Sequence, residues 1–149
     1  MREQFNTELK TAIKAGDRRR VDTIRMINAA LKDKEIEARG QGKTVSDDDI
    51  LSLLQKLVKS RQESMEIYDK AGRTDLATQE REEIAIITTF LPQPLSDAEM
   101  EEAIGRTIAD TGAAVIKDMG KVLGALKSQY AGRMDFSRAS AIVKARLTS

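Results

Sequence analysis

The chain's only two prolines stand two positions apart, in the stretch LPQPLS from Leu91 to Ser96. A proline ring clashes with the preceding turn and removes a backbone N–H, so no helix runs through this stretch. On both sides apolar residues recur at helical spacing with no further proline to interrupt them. The expected fold is therefore all-α. It has an N-terminal domain of about four helices (residues 1–91), a short stiff linker (92–95) and a three-helix C-terminal module (96–149). Aromatics make up 3% of the chain and tryptophan is absent, so the cores are expected to be aliphatic.

In the first domain Phe5, Leu9, Ala12 and Ile13 mark one helix, with Gly16 to end it and Asp17 to cap the next. Val21, Ile24, Ile27, Leu31 and Ile36 mark the second. After the loop RGQGKT, a long third helix starts at Ser46 with Ile50, Leu53, Leu54, Leu57, Val58, Met65 and Tyr68 on one stripe. Thr74 is the expected cap of a fourth, with Leu76, Ile84, Ile87 and Leu91 inward and Pro92 as its stop. In the module, Ser96 and Glu99 have capping-box spacing and Leu95 with Met100 fits a hydrophobic staple. Ile104 and Ile108 follow on that helix. A helix over Lys117–Tyr130 is expected to end at Gly132. Asp135 then caps a last helix with Phe136, Ala139, Ile142, Val143 and Leu147 inward.

Composition removes several chemistries. With no cysteine there is no disulfide and no thiolate. With no histidine there is no imidazole base and no His-based metal site. Nothing in the chain assembles a catalytic group, so no catalytic residue, cofactor or metal is assigned. The N-terminal MREQFNTELK is charged and reads as neither a signal peptide nor a membrane segment, and no apolar run approaches membrane-spanning length. The expected location is cytoplasmic.

Charge is uneven. From Thr111 to Ser149 there are seven Lys/Arg against two Asp/Glu, on an otherwise mildly acidic chain. Within this basic end, KDMGKVLGALKSQYAGRMD places two glycines inside a helix, where each costs about 1 kcal/mol relative to alanine. Projected at 100° per residue, Met119, Val122, Leu123, Leu126 and Tyr130 form the core stripe. Gly120 and Gly124 fall on the opposite arc with Lys117, Lys121 and Lys127. Two readings follow. Either a polyanion approaches the bare backbone while the lysines neutralise its phosphates, or another helix crosses there and the lysines rim it. Arg133, beyond Gly132, and Arg138 on the last helix extend the basic surface. Scarce aromatics argue against a base-stacking platform and for backbone recognition of folded RNA. DNA and membranes are not expected partners.

Two other charged runs carry simpler readings. The acidic SDDD (Ser46–Asp49) suits a helix N-terminus better than a metal cage, because adjacent helical residues point apart. DRRR (Asp17–Arg20) is either a second phosphate contact, a solvated turn, or part of one continuous helix.

With LPQPLSDAEMEEAI and TGAAVIKDMGKVLGALKSQYAGRMDFSRASAIVKARL, and with LKDKEIEARG in the first half, the chain resembles the GatB/YqeY family over essentially its whole length. Its last module is similar to the tail domain of the GatB subunit of tRNA-dependent amidotransferases, which are glutamine-dependent carbon–nitrogen ligases. There MGKVLGALK corresponds to the glycine-containing helix and AGRMD to the following turn. The resemblance implies an accessory protein that contacts tRNA or other structured RNA, with Lys117, Gly120, Lys121, Gly124, Lys127 and Arg133 as RNA-facing positions. An amidotransferase subunit, a synthetase or a second copy of this chain is an alternative partner that would dock a helix on the glycine strip. The amidotransferase chemistry itself is not implied, because neither a glutaminase nor a carboxylate-activating domain is present.

Overall fold

The computed structural model describes residues 1–148. Among them are seven α-helices, one 3-10 turn and no strand. They divide into two compact units, Met1–Leu91 and Pro92–Ser149.

The first unit holds α1 (Arg2–Ala15), α2 (Arg18–Gly40), α3 (Asp47–Lys70) and α4 (Thr74–Thr88). Gly16 ends α1 at φ 69°, a left-handed conformation that L side chains resist. Asp17 then caps α2 by accepting the N–H of Arg20. Ser46 and Asp49 close a reciprocal capping box at the start of α3. The core gathers Phe5, Ile24, Ile27, Ile50, Leu54 and Ile87, all fully buried. Each such side chain contributes about 1.5–3 kcal/mol on leaving water. Phe5 meets Phe90 edge to face at 5.0 Å between ring centroids.

Three sequence expectations are corrected in this unit. Ile13 and Ile36 are 51% and 58% exposed. Ile36 is five residues beyond Leu31 and so turns well away from the core face. Glu35 lies nearer that face and pairs with Arg2 at 2.6 Å. Thr74 does not cap α4. Arg73 holds the cap position without a side-chain bond to the helix's backbone N–H groups, and its guanidinium pairs with the Asp75 carboxylate in the first turn. Finally, α4 stops at Thr88, three residues before Leu91. Phe90 and Leu91 then donate to Ile87 and Thr88 in tight turns that swing Phe90 into the core.

The second unit holds α5 (Asp97–Thr111), a 3-10 turn (Ile116–Asp118), α6 (Met119–Tyr130) and α7 (Phe136–Arg146). Ser96 and Glu99 form the expected capping box, and Asp135 caps α7 through the N–H groups of Ser137 and Arg138. Met100, Ile104, Val122, Leu126, Val143 and Leu147 meet in a separate core. The chain end is tied back as well. Thr148 donates its N–H to Ala114 O, and its own carbonyl accepts from Ile116, at 3.0 and 2.8 Å.

Candidate nucleic-acid interface

The core stripe expected for α6 is the one observed. Val122 and Leu126 are fully buried, and Met119, Leu123 and Tyr130 pack partly against the same core. Gly120 and Gly124 are exposed, as are Lys121, Lys127 and Ser128. A Cβ added at either glycine meets nothing within 4 Å beyond the adjoining residues and the helix's own backbone. The glycines therefore relieve no crowding in this chain, and the backbone between the lysines is open. At Gly124 the carbonyl accepts the hydroxyl of Ser128 at 3.1 Å.

Lys117 lies just outside the helix. The segment expected to be helical from Lys117 begins as a 3-10 turn, and α6 proper starts at Met119. The cause is Asp118, whose carboxylate accepts the N–H groups of Ala114 and Val115 at 3.0 and 3.2 Å. These two donors hold its carboxyl below the usual carboxylate range, and Lys121 and Lys117 reinforce the effect. Sequence reasoning passed over Asp118. Its signal was an aspartate three and four residues after two loop residues, a spacing at which a carboxylate folds back on backbone donors.

The arginines are differently placed. Tyr130 O accepts from Arg133 N across a turn in which Gly132 takes φ 77° and Ala131 φ −52°, ψ 129°. That is the pattern of a type II turn, where the third residue needs positive φ. The turn points Arg133 at the proline stretch. Its Nε donates to Gln93 O at 3.0 Å, and its carbonyl accepts from Leu95 N at 2.8 Å. Arg138 pairs with Asp97 at 3.0 Å, and Arg146 pairs with Glu101. By contrast, among the described residues Lys117, Lys121 and Lys127 make no ion pair.

In the first unit, Asp17 and two arginines of the DRRR run are engaged internally. Arg19 pairs with Glu82 and Arg20 with Glu8, and the Arg20 guanidinium lies 5.9 Å from the centre of the Phe90 ring. The aspartates of SDDD occupy the first turn of α3, with Asp49 spent on the cap. The structure thus gathers Lys117, Gly120, Lys121, Gly124 and Lys127 at one helix and its leading turn. Arg133 and Arg138 are directed to partners within the unit.

A family model described as Yqey-like protein matches residues 2–147. The chain belongs to the YqeY-like family. Among its relatives, the protein named Altered inheritance of mitochondria protein 41, mitochondrial, from Lachancea thermotolerans is 36% identical over 105 residues, 69% of this chain and 55% of the relative. A protein of the same name from Vanderwaltozyma polyspora is 31% identical over 120 residues, 75% of this chain and 63% of the relative. A third, from Eremothecium gossypii, is 34% identical over 93 residues, 62% of this chain and 50% of the relative. The chain spans between half and less than two thirds of the length of these curated family members. Their names carry a mitochondrial location, which overturns the cytoplasmic expectation. The physical reason is that the N-terminal stretch used for that expectation is α1, whose Phe5 and Ala12 are buried. Its composition reports the fold and not the compartment. No described helix is long and apolar enough to cross a membrane.

Proposed function

We propose that this protein is a non-catalytic accessory that binds structured RNA, tRNA foremost, through the glycine-bared face of α6. One observation carries the reading. Two exposed glycines, Gly124 inside α6 and Gly120 in its first turn, at which an added Cβ would meet nothing within 4 Å beyond the adjoining residues and the helix's own backbone, are flanked by three lysines with no ion-pair partner among the described residues. The interior Gly124 costs the helix about 1 kcal/mol, and Gly120, in the first turn, costs less. No packing within the chain offsets that cost, so the return comes from a molecule that approaches the backbone closely. A phosphodiester backbone fits, because lysine ammoniums neutralise phosphates and release condensed counterions. Such contacts grip and orient RNA without reading its sequence. Arg133 and Arg138 contribute less, since each already has a partner in the unit. The resemblance of the module to the amidotransferase tail supports tRNA as the RNA class. A mitochondrial setting, carried by the relatives' names, is compatible, since organellar translation uses tRNA.

The test is a fluorescence-anisotropy titration of labelled total tRNA at low and high salt. It compares the full chain with a Lys117→Glu, Lys121→Glu, Lys127→Glu variant. Three phosphate contacts give a log–log salt slope of about −2 to −3. Binding with that slope, lost in the variant, is the expected result. No binding by the wild type at low salt overturns the reading and redirects attention to a protein helix as the occupant of the strip.

A further inference from the structure

Four of the five residues that lead into α6 (114–118) have backbone groups tied by hydrogen bonds. Ala114 N and Val115 N both donate to Asp118 Oδ2. Ala114 O accepts from the N–H and the hydroxyl of Thr148, at 3.0 and 2.9 Å. Val115 O accepts from Asp118 N at 2.9 Å, and Ile116 N donates to Thr148 O. A segment with its donors and acceptors spent in this way has little freedom to move. Lys117 belongs to it and Lys121 lies in the first turn of the helix it launches. Yet the keystone is an acid: Asp118 is one of only two acidic residues in the basic stretch from Thr111 to Ser149.

We infer that Asp118 is a positioning residue for the α6 face, fixing Lys117 and Lys121 through the Ala114–Val115 turn, and that its negative charge lowers the affinity of that same face for polyanions. The inference rests on the RNA reading above for its second half only. The two effects of one side chain have opposite signs, and they separate chemically. Both backbone donors converge on a single oxygen, Oδ2. The amide oxygen of asparagine takes that place, while its NH2 group takes the Oδ1 position, which no backbone group uses. Asp118→Asn therefore keeps the turn and removes the charge. Asp118→Ala removes both.

Two readouts on the full chain test this. The first is amide hydrogen exchange at Ala114 and Val115 without RNA. Wild type is expected to protect both amides most, Asp118→Asn somewhat less because a neutral amide oxygen accepts more weakly than a carboxylate, and Asp118→Ala to exchange roughly tenfold faster than wild type there. The second is anisotropy with labelled total tRNA. Asp118→Asn is expected to bind roughly two- to fivefold tighter than wild type, the scale of one unit charge several ångströms from the phosphates in water. Asp118→Ala is expected to bind more weakly than Asp118→Asn, although the two carry the same charge. Equal exchange in all three proteins overturns the positioning role. Binding by Asp118→Asn no tighter than wild type overturns the charge effect. If no protein binds tRNA, the RNA reading fails and takes the charge effect with it, and the exchange data alone decide the positioning role.

Discussion

The Nε–H of Arg133 donates to the carbonyl of Gln93 at 3.0 Å, between the chain's two prolines. The linker residue Leu95 in turn donates to Arg133 O. The end of α6 is thus fastened to the stretch that opens the second unit. Arginine holds this contact with a fixed planar donor that lysine does not reproduce. Arg133→Ala is expected to lower the stability of the second unit by about 1 kcal/mol, the scale of one hydrogen bond. Arg133→Lys is expected to do the same while leaving tRNA affinity close to wild type, because the cation is kept. Urea unfolding and anisotropy on both variants check this. A Lys variant as stable as wild type would remove the structural role.

Gly120 and Gly124 give the sharpest separation of stability from binding. A methyl group at either meets open space. Alanine at both positions is expected to stabilise α6 by about 1 kcal/mol, chiefly from the interior penalty removed at Gly124, with a smaller gain at Gly120 in the first turn. Leucine at both positions is expected to leave thermal stability no lower than wild type and to weaken tRNA binding strongly, because the larger side chains hold a polyanion off the backbone. A melting temperature that falls along with affinity in the leucine variant would show instead that the glycines serve packing.

Helix starts were the most legible features of the sequence. Ser46, Ser96, Asp17 and Asp135 all accept the N–H groups their spacing assigns, because a cap is a contact between residues three apart or fewer. The α6 lysine–glycine arc was legible for the same reason, since a helix face depends only on 3.6-residue spacing. What the sequence hid needed a partner from elsewhere in the chain. Nothing near Arg133 announces Gln93, forty residues away. Nothing near Ala114 announces Thr148. The stripe of α3 likewise continues through Leu57, Val58, Met65 and Tyr68, yet only Ile50 and Leu54 are buried. A stripe gives the direction of the core, whereas its depth depends on how far the partner helices reach.

The capping boxes make a prediction about acid. The backbone N–H of Ser96, and then its hydroxyl, hold the Glu99 carboxyl below its ordinary range. Its folded pKa is lower than its unfolded one, so the folded state binds fewer protons between the two. The resulting stabilisation is complete above the unfolded value of about 4.3 and is lost as pH falls through the folded value. Ser96→Ala removes the hydroxyl that accepts Glu99 N, keeps the backbone N–H that donates to the carboxylate, and is expected to cost about 1 kcal/mol at neutral pH. The gap between Ser96→Ala and wild type is expected to narrow as the pH is taken from neutral to below 4. Urea unfolding at several pH values measures that gap, and one that stays constant would mean that the Ser96 hydroxyl does not act on the carboxylate, whose bond from the residue 96 backbone N–H the variant keeps.

Two buried threonines complete the set, because they share a residue type and differ in one bond. Thr107 is 4% exposed and gives its hydroxyl to Ala103 O at 2.8 Å, the usual solution for a hydroxyl inside a helix. Thr23 is 2% exposed, and its Oγ1 has no hydrogen-bond partner among the described residues. A buried hydroxyl left without a partner costs about 1–3 kcal/mol, whereas an apolar group of the same shape carries no such cost. Valine has that shape and is β-branched like threonine, so helix propensity barely changes. Thr23→Val is therefore expected to stabilise the first unit by about 1 kcal/mol. Thr107→Val is expected to be neutral or to destabilise the second unit, since it gives up a bond that is made. Urea unfolding of each variant decides the matter. A loss of stability in Thr23→Val would mean that its hydroxyl is satisfied in solution after all, and that α2 is held at this point by a polar contact and not by apolar packing alone.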